Sequence, residues 1–289
     1  MRYVEPVFRP PSEAQSLILQ VTVGCSHNAC SFCAMYRSKR FQVRPLDELR
    51  EEIAEAARDW PDTRRVFLGD GDGLAAPTAL LLEVLRELKA CLPRLRRVSI
   101  YATPMNLRDK GSADLRELRG AGLDLYYLGL ESGSDEVLRA MGKGCTWVEA
   151  VDAVSVGRGA GLRSSVMVLL GLGGVEGSAV HAEASARAVN AMQPEFLSVL
   201  TWYPVPEAPL YRRMAAGRFR MPGDEAILDE LALFVAGLEL RDTVFRANHA
   251  SNPLPVGGRL SRDKKKLLAA LDAARRGLIP MRPLSLRGT

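Results

Sequence analysis

The amino-acid sequence predicts an α/β fold in which parallel βαβ units close into a partial (β/α)6 barrel of the TIM type with a helical C-terminal extension. Two observations carry this. Runs rich in β-branched residues alternate with segments whose leucines and alanines recur at three- and four-residue steps, the pattern of strands joined by crossover helices. Clusters of cysteine, glycine and acid fall directly after the strand candidates, and in a parallel barrel every strand delivers its C-terminal end to the same face.

The six strand candidates are Ser16–Gly24, Arg64–Asp70, Arg96–Thr103, Asp124–Ser132, Ser164–Gly173 and Phe196–Pro204. Helical candidates between them include Leu46–Trp60 and Pro77–Leu92, the second opening on Pro77 and Thr78, residues suited to a helix start. Three regions follow: an N-terminal segment, 1–15; the barrel, 16–204; and an extension, 205–289, packed on the barrel. In the extension Gly223–Leu240 and Ser261–Gly277 read as helices, and "FRANHASNPLPVGG", Phe245–Gly258, as an irregular connection.

Of 289 residues, 47% are hydrophobic and 25% charged, which fits an ordered globule and not a disordered or fibrous chain. Lysine and arginine outnumber aspartate and glutamate by only 39 to 34, too small an excess to name an anionic partner. The first fifteen residues hold no continuous apolar stretch, so no export signal is expected. The apolar run from Val166 is short and glycine-rich, a buried strand and not a membrane span. Five cysteines, an odd number with three crowded together, argue against a disulfide framework and for a metal or redox site in a reducing cytoplasm.

Those three, Cys25, Cys30 and Cys33, are spaced C-x4-C-x2-C after the first strand. Thiolates in a tight loop suit zinc or an iron–sulfur cluster. Structural zinc needs a fourth ligand. His27 sits inside the loop, where reaching the same ion is sterically awkward, Cys91 reads as a small apolar residue of a helix, and Cys145 as an ordinary loop residue. Three thiolates can instead hold three irons of a cubane and leave the fourth iron open. The cysteines alone leave both metals in play.

"FLGDGDG", Phe67–Gly73, places Gly69, Asp70, Gly71 and Asp72 at the end of the second strand. A calcium loop is excluded, because its fifth and twelfth positions would be Leu74 and Leu81. A dinucleotide fingerprint is excluded because Leu74 stands where its last glycine is required.

The cysteine loop, with Phe32 between its last two cysteines, resembles that of the radical S-adenosylmethionine (radical SAM) enzymes, although their usual first gap is one residue shorter. "YLGLESGSDEVLRAMGKG", Tyr127–Gly144, is similar to the fourth strand and following helix of the branch that includes elongator, methylthiotransferase and coproporphyrinogen-oxidase-like enzymes. The resemblance covers Ser16–Pro204. It implies a radical SAM barrel with a 4Fe–4S cluster on Cys25, Cys30 and Cys33. It also implies that Gly69–Asp72 meet the amino group of S-adenosylmethionine, that Glu131 with Ser132 lies near the ribose, and that Lys143 meets the carboxylate. Gly171, in "VLLGLGG", would let the backbone approach adenine, with Phe32 beside it.

The activity so implied is one-electron cleavage of S-adenosylmethionine, fed by a cytoplasmic reductant such as flavodoxin or ferredoxin, to a 5'-deoxyadenosyl radical that abstracts hydrogen from substrate. A small-molecule substrate is expected, since no cobalamin-binding segment precedes the barrel and no acetyltransferase segment or cysteine-rich tail follows. Two alternatives stand beside it. RNA modification draws on the branch and on Lys264–Lys266 with Arg275 and Arg276, which read equally as a solvated face. The other is a non-enzymatic zinc or iron–sulfur protein. Asn248, His249 and Asn252 are polar enough to face a substrate or to tie down a turn.

Overall fold

The computed structural model describes residues 1–288. The first strand candidate forms two pieces, β1 (Leu17–Gln20) and β2 (Thr22–Val23). Between them the Val21 N–H donates to Gly69 O and the Val21 carbonyl accepts from Arg44 N, so the chain changes partner there. β2 pairs antiparallel with β3 (Gln42–Val43), which closes the base of the cysteine loop. There follow α1 (Leu46–Asp59), β4 (Arg65–Gly69), α2 (Thr78–Cys91), β5 (Arg97–Ala102), α3 (Pro104–Ala121) and β6 (Leu123–Glu131). Then come α4 (Asp135–Ala140), α5 (Trp147–Gly159), β7 (Arg163–Leu170), α6 (Gly174–Met192) and β8 (Phe196–Thr201). The chain continues through α7 (Pro209–Ala215), α8 (Asp224–Gly237), β9 (Thr243–Ala247), β10 (Val256–Leu260) and α9 (Lys264–Arg275).

Local chemistry accounts for the helices that place the site. α1 buries Leu49, Ile53 and Ala56 at three- and four-residue steps, with Asp47 and Glu48 at its positive N-terminal end. α2 buries Leu81, Val84, Leu85 and Leu88 in the same way. α3 begins in a capping box, Thr103 and Asn106 satisfying each other's backbone N–H.

The chain forms two compact units. The first comprises Met1–Asn28, Met35–Leu128 and Asp152–Ser164. Here β1, β4, β5 and β6 neighbour one another in that order, all parallel, with Leu17 opposite Val66 and Ala102 opposite Leu128. Val66 to Gly69 are buried without alternation, as expected of a strand covered on both faces. The N-terminal segment is tied to these strands by Glu13. This fully buried carboxylate accepts from Tyr127 Oη at 2.6 Å, Arg97 Nη2 at 2.7 Å, Ser99 Oγ at 2.9 Å and the Ser16 hydroxyl. Burial, and then Glu13, hold the Tyr127 phenol above its ordinary pKa.

The second unit comprises Ala29–Ala34, Gly129–Val151 and the chain from Ser165 onward. β7 and β8 run parallel, with Val166 opposite Leu197, and β9 runs parallel to β8. The residues after Pro204 fall in this unit. Phe245–Gly258, expected to be irregular, instead holds most of β9 and the start of β10, which pair antiparallel. Gly257 and Gly258 weaken the strand signal of β10, and the turn-forming residues between the two strands masked the short alternation of "TVFRA". That turn is fastened inward. Asn252 is fully buried, donating to Val199 O at 2.8 Å and accepting from Thr201 Oγ1 at 2.9 Å, while His249 Nδ1 lies 2.9 Å from Ser251 Oγ. Asn252 and His249 thus tie down the turn. Among the described residues no helix is long and apolar enough to cross a membrane.

Candidate metal centre and cofactor site

In the first unit the "GDGDG" turn after β4 grips the cysteine loop at three points. Asp70 Oδ2 accepts from Gly24 N at 3.1 Å, from Gln20 Nε2 at 3.1 Å and from Lys39 Nζ at 2.6 Å. Gly71 lies under the Tyr36 ring, which a Cβ would overlap. Asp72 accepts from the Ser26 hydroxyl. Gly24 precedes Cys25, and Lys39 lies near the far end of the loop, so one carboxylate fixes both ends. Lys39 spends its remaining donors on Val4 O and Pro6 O, each at 2.6 Å.

This corrects one expectation. The Asp70 carboxylate, expected to face the amino group of S-adenosylmethionine, is 0% exposed and engaged by the loop. Asp72 is equally buried. Sequence reasoning missed Lys39 because "RSKRF" reads as a solvated basic run; its signal is only spatial.

Within the longer first cysteine gap Asn28 takes a left-handed conformation. Its φ is +35°, and its side chain donates to Tyr36 O at 2.9 Å while Arg37 Nη1 donates to its carbonyl at 2.8 Å. Asparagine tolerates such a conformation better than most residues.

In the second unit Cys30 and Cys33 lie on one turn, closed by Cys33 N donating to Cys30 O at 3.2 Å. The two residues between are pinned. Ser31 N donates to Met141 O and Ser31 O accepts from Leu210 N, both at 2.8 Å, and Phe32 O accepts from Trp202 Nε1 at 3.0 Å. Phe32 packs on Met141, Leu172, Trp202 and Leu210.

Glu131 and Lys143 form an ion pair of 3.1 Å with side chains 10% and 11% exposed. The pair lies over Gly129, where any Cβ would overlap the Glu131 carboxylate, and Glu131 itself takes a φ of +65°. Burial opposes the Lys143 charge, but Glu131, then Cys30 and Cys145, outweigh it and hold its pKa above the ordinary lysine value. Lys143 is therefore no solvated surface charge, and it feels a cluster-ligand candidate. Burial raises the Cys145 thiol against the opposing pull of Lys143.

Ser132 is fully buried, its hydroxyl 2.8 Å from His181 Nδ1 and accepting from Ser134 N at 3.0 Å, so its side chain faces α6 and not an open site. Gly133 packs so closely on α6 that a Cβ would overlap the Ala184 carbonyl, and its N–H donates to Ser185 Oγ at 2.9 Å. Backbone cannot yield as a side chain does. Gly133→Ala is expected to cost about 2–3 kcal/mol by overpacking, read from urea unfolding. Gly171, at φ +86°, donates its N–H to Glu230 Oε1 at 2.8 Å and is covered by Met221. His181 and Glu230 lie in none of the sequence motifs. Their only signal was a polar residue within an otherwise apolar helical stripe, Glu230 following Ile227 by three.

Among the described residues, no three His, Cys, Asp or Glu side chains stand together as a metal site. The donor chemistry nonetheless fits an iron–sulfur cluster: three half-buried cysteines outside any disulfide, on a loop whose two ends are fixed, with an acid and a base buried beside one of them.

The fold defines an α/β protein with a mostly parallel sheet and a loop of three cysteines after its first strand. A family model described as the radical SAM superfamily matches residues 19–182, more than half of the chain, and the chain belongs to that superfamily. It is similar to the heme chaperone HemW of Bacillus subtilis, with 24% identity over 226 residues, 74% of this chain and 58% of that protein. It is 32% identical over 167 residues, 50% of this chain and 36% of the relative, to the tRNA-2-methylthio-N(6)-dimethylallyladenosine synthase of Magnetococcus marinus. The chain thus spans 58% and 36% of these two relatives' lengths, less than two thirds of either. Among solved structures, coproporphyrinogen III oxidase (HemN) from Escherichia coli superposes with a TM-score of 0.58 at 17% identity, covering 76% of this chain and 51% of that one. That likeness bears on the fold alone, the TIM-barrel type of the radical SAM enzymes. Membership makes the chain a radical SAM enzyme, with a 4Fe–4S cluster and S-adenosylmethionine as its cofactors.

Proposed function

We propose that Cys25, Cys30 and Cys33 bind the 4Fe–4S cluster and that the protein acts by hydrogen abstraction on a small-molecule substrate, fed by a one-electron carrier of the cytoplasm such as flavodoxin or ferredoxin. The observation that carries the site is the buried Glu131–Lys143 pair within electrostatic reach of Cys30. When bound, the cluster and S-adenosylmethionine supply one-electron cleavage of a carbon–sulfur bond and a hydrogen-abstracting radical.

The chain's own residues bind and orient. Lys143 offers a cation for the carboxylate of S-adenosylmethionine, held in place by Glu131 Oε1. The other Glu131 oxygen is left to accept from a ribose hydroxyl. Gly171 ends β7 where the adenine edge would lie; Met221 covers it and must move aside for that contact, the Gly171 N–H is held by Glu230, and Phe32 supplies an apolar face beside it. The turn from Gly69 to Asp72 supports the amino-group side through its backbone, while Asp70 and Asp72 hold the loop.

A second reading, an RNA substrate, is favoured by the likeness to the tRNA-modifying synthase. Against it, three of the five basic side chains in or capping the last helix already have partners within the chain. Lys264 donates to Leu238 O, Arg275 pairs with Asp229, and Arg276 with Asp272. RNA binding that weakens steeply with salt would favour this second reading.

The test is anaerobic reconstitution with iron and sulfide, then reduction in the presence of S-adenosylmethionine. The expected result is a visible absorption band bleached by dithionite, with 5'-deoxyadenosine as product. Cys30→Ser is expected to lower bound iron severalfold and to abolish that product. Stoichiometric zinc with no visible absorption would defeat the proposal.

A further inference from the structure

His181 on α6 and Glu230 on α8 are 0% and 2% exposed, and neither belongs to a motif assigned above. Burial lowers the His181 pKa to about 4, with a partial opposing effect from the Leu169 carbonyl, so the ring is neutral and carries one N–H. Nε2 lies 3.2 Å from Leu169 O, which can only accept, and this assigns the hydrogen to Nε2. Nδ1 is then bare and accepts from Ser132 Oγ at 2.8 Å. The Ser132 oxygen in turn accepts from Ser134 N. Glu230 Oε1 lies 3.6 Å from His181 Nε2 and accepts the Gly171 N–H at 2.8 Å, while Oε2 accepts from the Ser178 hydroxyl. The tautomer of His181 and the direction of its two hydrogen bonds are thereby assigned.

We infer that His181 and Glu230 are positioning residues that lock the end of β6, at Ser132, to the end of β7, at Leu169 and Gly171. The inference rests on the reading of these strand ends as the S-adenosylmethionine site. It also gives the C-terminal part of the chain a task, since α8 supplies the carboxylate that aims the Gly171 amide. An apolar side chain would fill the same space without burying a charge. What the carboxylate adds is direction, holding a left-handed glycine in one orientation.

The test compares Glu230→Gln with Glu230→Leu in the anaerobically reconstituted protein, using S-adenosylhomocysteine as probe. Glutamine keeps an acceptor for Gly171 N and can donate to Ser178; leucine fills the volume and offers neither. Expected are near-native affinity for E230Q and a loss of about tenfold for E230L, the order set by one unmet buried donor. Faster amide hydrogen exchange across residues 171–174 in E230L is expected to accompany that loss, whatever the activity of the loaded enzyme. E230L binding as tightly as the native chain would overturn this inference alone. A native chain that binds no S-adenosylhomocysteine would overturn the site assignment and this inference with it.

Discussion

Lys39→Met is expected to cost about 3–5 kcal/mol of stability, the usual consequence of stranding one partner of a buried ion pair. The Lys39 and Asp70 side chains are 3% and 0% exposed, and Asp70 Oδ1 has no hydrogen-bond partner among the described residues. Methionine keeps most of the stem but removes the ammonium that joins Asp70, Val4 O and Pro6 O. Urea unfolding measures the loss, and proteolysis ahead of Pro6 is expected to accelerate. The double variant Lys39→Met/Asp70→Leu separates stability from function, because a well-packed apolar pair often replaces a buried ion pair at little cost. It is expected to regain most of the stability while iron content stays low, since Gly24, beside Cys25, has lost its acceptor. Full iron loading in the double variant would show that the loop needs no such anchor.

What the sequence revealed and what it hid divide along sequence distance. Cys25, Cys30 and Cys33, the proposed cluster ligands, are legible as candidates because they sit on one loop and their type and spacing suggest the chemistry. Glu131 and Gly171 are legible because each directly ends a strand whose period is clear. The residues that hold these groups are not local. Lys39 meets Asp70 across 31 residues, His181 meets Ser132 across 49 and Glu230 meets Gly171 across 59. Each is a single polar residue in a run that reads as solvated surface or as an amphipathic helix, so only the folded chain shows its partner. Asp70 illustrates the converse limit. Its position at a strand end suggested an open acid, whereas a lysine from the cysteine loop had already claimed it.

His181→Asn is expected to expose a pH dependence that the native protein conceals. The Glu230 pKa is raised from 4.5 to about 7, chiefly by burial, against hydrogen bonds from Ser178 and Gly171. Between those pH values the native state keeps a proton that the unfolded chain has released, so this group weakens the fold as pH rises, by about 3 kcal/mol in all. His181 does the opposite. With its pKa lowered from 6.5 to about 4, the unfolded chain binds a proton that the native state refuses, and stability rises with pH across that window by a similar amount. The windows overlap, and the two slopes oppose each other between about pH 4.5 and 6.5. Asparagine removes the histidine contribution and leaves that of Glu230. The unfolding free energy of H181N, taken relative to the native chain so that other groups cancel, is therefore expected to fall by about 3 kcal/mol from pH 4 to 6.5. Urea titrations at half-unit steps measure it. A flat difference would mean that the imidazole titrates normally in the folded state, and the direction assigned to the Ser132–Nδ1 contact would have to be reversed, while Nε2 would still donate to Leu169 O.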